Sequence, residues 1–217
     1  MLALSLSAAT RPLKLLCLGA HPDDIEIGCG GTVLHLAAQS RPLCVQWIVF
    51  TGDTARGAEA RNSAAAFLAA VPDRTITVHD FRDGFLPYQG AAVKDAFERL
   101  KRSFEPSLIL THSIEDAHQD HRLIGELTHQ TFRDHLILVF EIPKHDGDLG
   151  NPNLFVPLSE REARRKAAAL LQHFPSQRQR RWFAEDVFLA MMRLRGAFSN
   201  APEGYAEGFL CRKAVLG

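Results

Sequence analysis

No charge of either sign dominates this 217-residue chain: 25 lysines and arginines stand against 25 aspartates and glutamates, for a formal net charge of zero at pH 7. Nucleic-acid binders carry a basic excess, so the balance argues against that partner. It also leaves no global field to steer an anionic substrate. No apolar run approaches the roughly 20 residues needed to cross a bilayer, so stable membrane insertion is not expected. The opening stretch MLALSLSAATRPLK has no basic region ahead of its apolar part and reads as a lead-in rather than a signal peptide. Cysteines are few, at 17, 29, 44 and 211, and no pair has metal-finger spacing. Cys17 and Cys44 sit inside apolar runs, as buried small hydrophobes of a reducing, cytoplasmic compartment do. No internal repeat and no flexible linker is visible, so one domain over residues 1–217 is expected, large enough for a sizeable core.

Apolar runs and helical stretches alternate. Lys14 to Gly19, Leu43 to Phe50, Thr75 to His79, Ser107 to Thr111 and His135 to Glu141 read as strands. Thr32 to Gln39, Ala58 to Ala70, Gln89 to Ser103 and His121 to Arg133 read as helices. Ser159-Glu160-Arg161-Glu162 is a capping box that opens a further helix to about His173, and Phe183 to Arg195 reads as the last. Asp146 to Pro157 reads as a loop, Gln177 to Trp182 as a strongly basic segment, and the tail from Gly196 as irregular. Its apolar end hints at packing between copies in a homo-oligomer. The early strands are almost continuously hydrophobic, which implies helices on both faces of a mainly parallel sheet: an α/β fold. In such sheets ligands bind beyond the C-terminal strand ends.

Two short words sit at that edge. His21-Pro22-Asp23-Asp24 follows the first strand, and His118-Gln119-Asp120-His121 follows the fourth. His21 and Asp24 can converge from one loop and His121 from the other, giving two imidazoles and one carboxylate around a divalent metal with a position left for water. Zinc would lower the pKa of that water toward about 7. Spacing alone does not decide between Asp23 and Asp24 as ligand; the spare carboxylate, Asp23, can accept the proton of an attacking water. His118 can face the same pocket, as an acid or an oxyanion stabiliser. Asp116 or Asp120 can orient a histidine, and which one does so is not decided by spacing. His112, at a strand end, can line the pocket. His79, His129, His135, His145 and His173 read as surface or hydrogen-bonded residues. Gly28-Cys29-Gly30-Gly31 reads as a turn before the first helix; the GxGxxG fingerprint is absent, and the acidic patch from His21 to Glu26 would repel a pyrophosphate.

Ala20-His21-Pro22-Asp23-Asp24, then Gly30-Gly31-Thr32, Arg56-Gly57-Ala58-Glu59, and Thr111-His112…Asp116…His118-Gln119-Asp120-His121-Arg122 together resemble the LmbE-like, or PIG-L, family of zinc-dependent N-acetylglucosaminyl deacetylases. The resemblance implies a Rossmann-like three-layer αβα sandwich. It implies Zn2+ on His21, Asp24 and His121, so it selects Asp24 over Asp23 as ligand. Asp23 then matches the general base, His118 the oxyanion-stabilising histidine, and Arg56 a position associated with sugar or phosphate recognition. Ile25 directly after the first word, and glutamine where many members have proline in the second, are departures that touch subgroup and substrate rather than chemistry.

The expected activity is removal of an N-acetyl group from an amino sugar, on a small molecule or a glycolipid, nucleotide- or lipid-linked intermediates included. Two rivals are carried forward. One is a metal-dependent amidase on another acylated amine or thiol conjugate. The other is a non-catalytic metal- or sugar-binding module, against which the spare Asp23 and His118 argue.

Overall fold

The computed structural model describes residues 12–39 and 41–215; residues 1–11 of the N-terminal lead-in lie outside them. The chain alternates as β1 (Leu13–Gly19), α1 (Asp24–Ala37), β2 (Leu43–Thr51), α2 (Thr54–Phe67), β3 (Asp73–Phe81), α3 (Gly90–Ser103), β4 (Leu108–Thr111), α4 (Gln119–Thr131) and β5 (Leu136–Phe140). It continues with β6 (Leu154–Leu158), α5 (Glu160–His173), α6 (Glu185–Ser199) and β7 (Tyr205–Cys211). The sheet order is β3-β2-β1-β4-β5-β7-β6. The first five strands are parallel to one another, and β7 runs antiparallel to both β5 and β6.

Both sheet faces are covered, which is why β1 and β2 are apolar at nearly every position. Leu15, Cys17, Val45, Trp47, Val49 and Leu110 pack under residues of α1, α2, α5 and α6, among them Ile25, Val33, Phe67, Leu170 and Phe188. Leu16, Leu18, Ile48, Phe50 and Ile109 face the other way, against Val93, Phe97 and Leu100 of α3 and Ile124 and Leu127 of α4. This is the αβα sandwich, with a mixed, mostly parallel sheet. Among the described residues no helix is long and apolar enough to cross a membrane.

Three differences from the sequence reading have physical causes. α1 begins at Asp24, eight residues before Thr32, so the glycine-rich segment lies inside the helix and is not a turn. Glycine is a poor helix former, but packing requires it here. A Cβ on Gly28 would lie 2.3 Å from the Phe140 ring, and one on Gly31 2.5 Å from Leu158. α2 likewise starts early, at Thr54, because the Asp53 side chain accepts the Arg56 N–H at 2.8 Å as an N-cap. The segments read as loop and irregular tail contain β6 and β7. β6 carries Pro157, which is tolerated because β6 is an edge strand. β7 buries Glu207 where a strand pattern expects an apolar residue.

The chain climbs β1-β2-β3 toward one edge and then returns to place β4 on the other side of β1. The crevice between the C-terminal ends of β1 and β4 is therefore the topological switch point, where open α/β sheets bind ligands.

Candidate metal-dependent active site

β1 delivers Ala20 and His21 to this crevice, and β4 delivers His112. The two ends are tied: the Ala20 N–H donates to His112 Nε2 at 2.9 Å, and the Thr51 hydroxyl of β2 donates to the Ala20 carbonyl at 2.8 Å. The turn into α1 is closed by Asp24 Oδ2, which accepts the His21 N–H at 2.7 Å. Asp23, between them, has φ 96°, a left-handed backbone that a non-glycine residue rarely adopts. On the other side His118 caps α4, its Nδ1 accepting the Asp120 N–H at 3.3 Å, and His121 follows in the first turn.

Three donor atoms converge. His21 Nδ1 and His121 Nε2 are 3.1 Å apart, and each lies 3.4 Å from Asp24 Oδ2. Ligands at about 2.0–2.1 Å from a tetrahedral zinc are separated by about 3.3 Å. The triangle therefore fits a divalent ion in both size and donor chemistry. The same residues recur in two overlapping clusters of potential ligands, His21 with His118 and His121, and Asp24 with His112 and His121.

Carboxylates behind the imidazoles set their tautomers. His121 Nδ1 is 3.0 Å from Asp116 Oδ2, so this nitrogen carries the proton and Nε2 offers its lone pair. His21 Nε2 lies 3.3 Å from Asp120 Oδ2 and 3.1 Å from Asp83 Oδ1, which leaves Nδ1 free toward Asp24 and His121. The question that spacing left open thus has a geometric answer: Asp116 backs His121 and Asp120 backs His21. His21, Asp83 and Asp120 also form a cluster of potential ligands, but Asp120 is already engaged. Its Oδ2 accepts the Gly84 N–H at 2.8 Å and its Oδ1 the Leu86 N–H at 3.1 Å.

The electrostatics follow from this packing. Burial pulls the His21 imidazole down, but Asp120, Asp24 and Asp83 outweigh it and hold the ring well above its ordinary value. Burial opposes His121 in the same way, and Asp24 and Asp116 carry it up to about 9. Asp24 is held well below the carboxylate range by His121 and His112 despite its burial. Without a cation the cluster takes up protons in its place.

The other expected site residues occupy defined places. Asp23 is buried beside the triangle, and burial pushes its carboxyl up to about 7 against the pull of Arg56. Arg56 donates to Asp23 Oδ2 at 3.1 Å and to the Pro22 carbonyl at 2.6 Å, so part of its guanidinium is committed to the motif itself. Burial, then the neighbouring His21 and His121, lower His118, so its ring is neutral at pH 7. With Nδ1 accepting from Asp120, the ring proton of His118 sits on Nε2. His112 is 1% exposed, with Nε2 3.1 Å from Asp24 Oδ2, and burial with the His121 charge lowers it to about 4. It stands behind Asp24 rather than on an open wall.

Two residues of the cluster were not anticipated. Asp83 reaches His21 from the loop after β3. Lys144, after β5, lies 3.2 Å from Asp116 Oδ1 and pairs with Asp148, whose Oδ2 accepts the Ala117 N–H at 2.7 Å. Neither carries a local signal, because each enters through a loop that returns over the sheet edge. Of the histidines read as peripheral, His79 stacks on Phe50, while His135 meets Phe132 and His145 meets Trp182 edge-on, away from the triangle.

Comparison with known proteins agrees with this geometry. The chain matches the PIG-L family, described as GlcNAc-PI de-N-acetylase, over residues 16–132, more than half its length. An uncharacterized deacetylase of Escherichia coli (strain K12), YaiS, is 29% identical over 181 residues, which is 77% of this chain and 94% of that protein. The structure of N,N'-diacetylchitobiose deacetylase from Pyrococcus horikoshii superposes with a TM-score of 0.70 at 22% identity, over 91% of this chain and 83% of the other. That of GalB, the 4-carboxy-2-hydroxymuconate hydratase of Pseudomonas putida KT2440, gives 0.73 at 17% identity, over 94% and 98%. At such identities the structures speak for the fold alone, and the fold serves more than one reaction. Taken with the His/Asp cluster at the switch point, the family match places this chain in the PIG-L, or LmbE-like, family, as a metal-dependent deacetylase of acylated amines.

Proposed function

We propose that the protein removes the N-acetyl group from an amino sugar, free or carried on a nucleotide or lipid, as a step of glycoconjugate biosynthesis. The observation that carries this reading is the triangle of His21 Nδ1, His121 Nε2 and Asp24 Oδ2 with a separate buried carboxyl, Asp23, beside it. A zinc ion held by those three atoms supplies Lewis acidity at the acetamide carbonyl and lowers the pKa of water. Asp23 accepts a proton as water adds to the carbonyl carbon. A carboxyl that titrates near 7 suits this task and can return the proton to the nitrogen as the C–N bond breaks. Arg56 fixes the Asp23 side chain. His118 presents Nε2–H to the carbonyl oxygen as negative charge develops there. The products are acetate and the free amine.

An amino sugar is favoured by three considerations. The family is described by its action on GlcNAc-PI, and a structural relative acts on diacetylchitobiose. Beside His21, the loop pinned by Asp120 carries Tyr88, 76% exposed, next to Phe85, one face of which is covered by Arg82, and an exposed aromatic face suits the apolar face of a sugar ring.

The test is amine release from a panel. It holds N-acetylglucosamine, its 1-phosphate, a uridine-diphosphate-linked form and diacetylchitobiose, beside acylated amino acids and acylated thiol conjugates. Turnover of a sugar that falls about 10²–10⁴-fold in D23N, with zinc retained, supports the proposal. Release from the non-sugar amides alone would overturn it.

A further inference from the structure

A second cavity, of about 340 Å³, opens at the opposite end of the sheet. His129 and Arg133 reach it from the C-terminal end of α4, His135 from the start of β5, and Arg212 and Lys213 from just beyond β7. Its nearest helical residue, His129, lies about 12 Å along α4 from His121, at 1.5 Å per helical residue. Phe132 and Ile137 complete its wall, and no carboxylate lines it; Glu126 and Asp134, the nearest acids in sequence, are not among its walls.

Three permanent cations and two imidazoles around one concavity are costly to bring together without a counter-charge. Part of this charge has a structural use. Arg133 Nε donates to the Gln130 carbonyl at 3.2 Å, and Lys213 Nζ donates to the Arg133 carbonyl, so both help close the end of α4. Among the described residues, that use leaves the Arg133 terminal nitrogens and the whole Arg212 guanidinium for another partner. Two ring nitrogens, His129 Nε2 and His135 Nδ1, are buried and without a hydrogen-bond partner among the described residues. Burial, then the charges of Arg212 and Lys213, lower the proton affinity of His129, which reports a positive potential within the cavity.

We propose that this cavity is a second binding site, for a phosphate-class oxyanion, formed where the end of α4, the start of β5 and the segment after β7 bring Arg133, Arg212, Lys213, His129 and His135 together. Planar guanidiniums give paired hydrogen bonds to phosphate oxygens, Lys213 adds a point charge, and the two imidazoles supply the remaining contacts. The site lies at the far end of α4 from His121, and none of its lining residues belongs to the metal triangle, so it stands or falls independently of the deacetylase reading.

The experiment is titration of the full-length protein with inorganic phosphate and with pyrophosphate, followed by amide NMR shifts and by the thermal midpoint at constant ionic strength. The proposal expects saturable shifts centred on residues 129–135 and 212–213 and a rise in the midpoint. R212Q/K213Q should still unfold cooperatively but bind at least tenfold more weakly, whereas the charge-matched control R180Q/R181Q should bind like the parent. Flotation with phosphatidylglycerol vesicles separates sources of the same chemistry: protein that stays in solution assigns a soluble phosphate ligand, and co-flotation lost in R212Q/K213Q assigns a lipid headgroup. The absence of saturable binding to phosphate, pyrophosphate or vesicles would overturn the proposal, as would binding unchanged in R212Q/K213Q. If R212Q/K213Q does not fold, R212Q alone, whose guanidinium has no structural partner among the described residues, provides the same comparison.

Discussion

The Nδ1 of His121 lies 3.0 Å from Oδ2 of Asp116, so the opposite ring nitrogen is turned onto Asp24 Oδ2 at 3.4 Å. Asp116 is itself held from behind by Lys144 and accepts the His118 N–H at 2.8 Å. One aspartate thus fixes the tautomer of a proposed ligand and the start of α4. D116N should therefore weaken zinc binding about 10–100-fold while leaving the fold intact. Competition against a chromophoric chelator reads the affinity, and circular dichroism checks the fold. An unchanged affinity would show that His121 does not depend on this contact.

Metal binding should release protons at neutral pH. His121 is carried to about 9, so its ring is protonated at pH 7 in the metal-free protein, and His21 is also raised well above its ordinary value. A ring that is protonated must lose that proton to ligate. Zinc affinity should therefore fall as pH drops below about 9. Calorimetry at pH 7 in buffers of different ionisation enthalpy should report at least one proton released per ion. Zinc uptake without proton release would contradict the proposed ligand pair.

Glu26, two residues beyond Asp24 on α1, is fully buried, and neither carboxyl oxygen has a hydrogen-bond partner among the described residues. Burial above all, with a counteracting pull from the nearby Ser63 hydroxyl, pushes its carboxyl from 4.5 up to about 8. Between those values the folded chain binds a proton that the unfolded chain has released, so the stability of the metal-free protein falls as pH rises through this window. E26Q should remove that slope and be the more stable protein above pH 8, by roughly 3–5 kcal/mol. Urea unfolding at pH 5, 7 and 9 measures it; parallel profiles for parent and variant would refute the assignment.

Lys166 of α5 and Glu207 of β7 form a buried pair at 2.6 Å, and both engage the backbone of α1. Lys166 donates to the Ile27 carbonyl at 2.5 Å, while Glu207 accepts the Gly31 and Thr32 N–H groups at 2.8 and 2.6 Å. The helix that carries Asp24 is thereby anchored at mid-length to two elements far away in sequence. K166M leaves the Glu207 charge buried without its cation and should cost about 3–5 kcal/mol in guanidinium unfolding. A loss below about 1 kcal/mol would mean that the pair contributes no more than a surface contact.

What sequence could and could not convey follows from how local each signal is. β1, β2, β4 and β5 are readable because burial on both faces leaves apolar runs, as at Leu15–Leu18, while the edge strand β3, which buries no residue, shows only its β-branched Thr75–Val78. The two metal words are readable because His21, Asp24 and His121 each sit within a few residues of a strand end or helix start. β7 was not readable: Glu207 breaks its apolar pattern, and the cation that makes it tolerable comes from Lys166, 41 positions earlier. The start of α1 was hidden because glycines at 28 and 31 suggest a turn, whereas Phe140 and Leu158 dictate them from across the sheet. The pairing of aspartates with histidines depends on the loop that returns Asp83 to His21 and hangs Gly84 and Leu86 on Asp120, a contact with no trace in spacing.

The most direct test of the whole account is diffraction from zinc-loaded crystals on both sides of the zinc absorption edge. One anomalous peak within about 2.0–2.2 Å of His21 Nδ1, Asp24 Oδ2 and His121 Nε2, with a further position open to solvent, is the predicted result. A peak instead on the His21 Nε2 side among Asp83 and Asp120, or no peak in crystals shown to retain the fold, would contradict it.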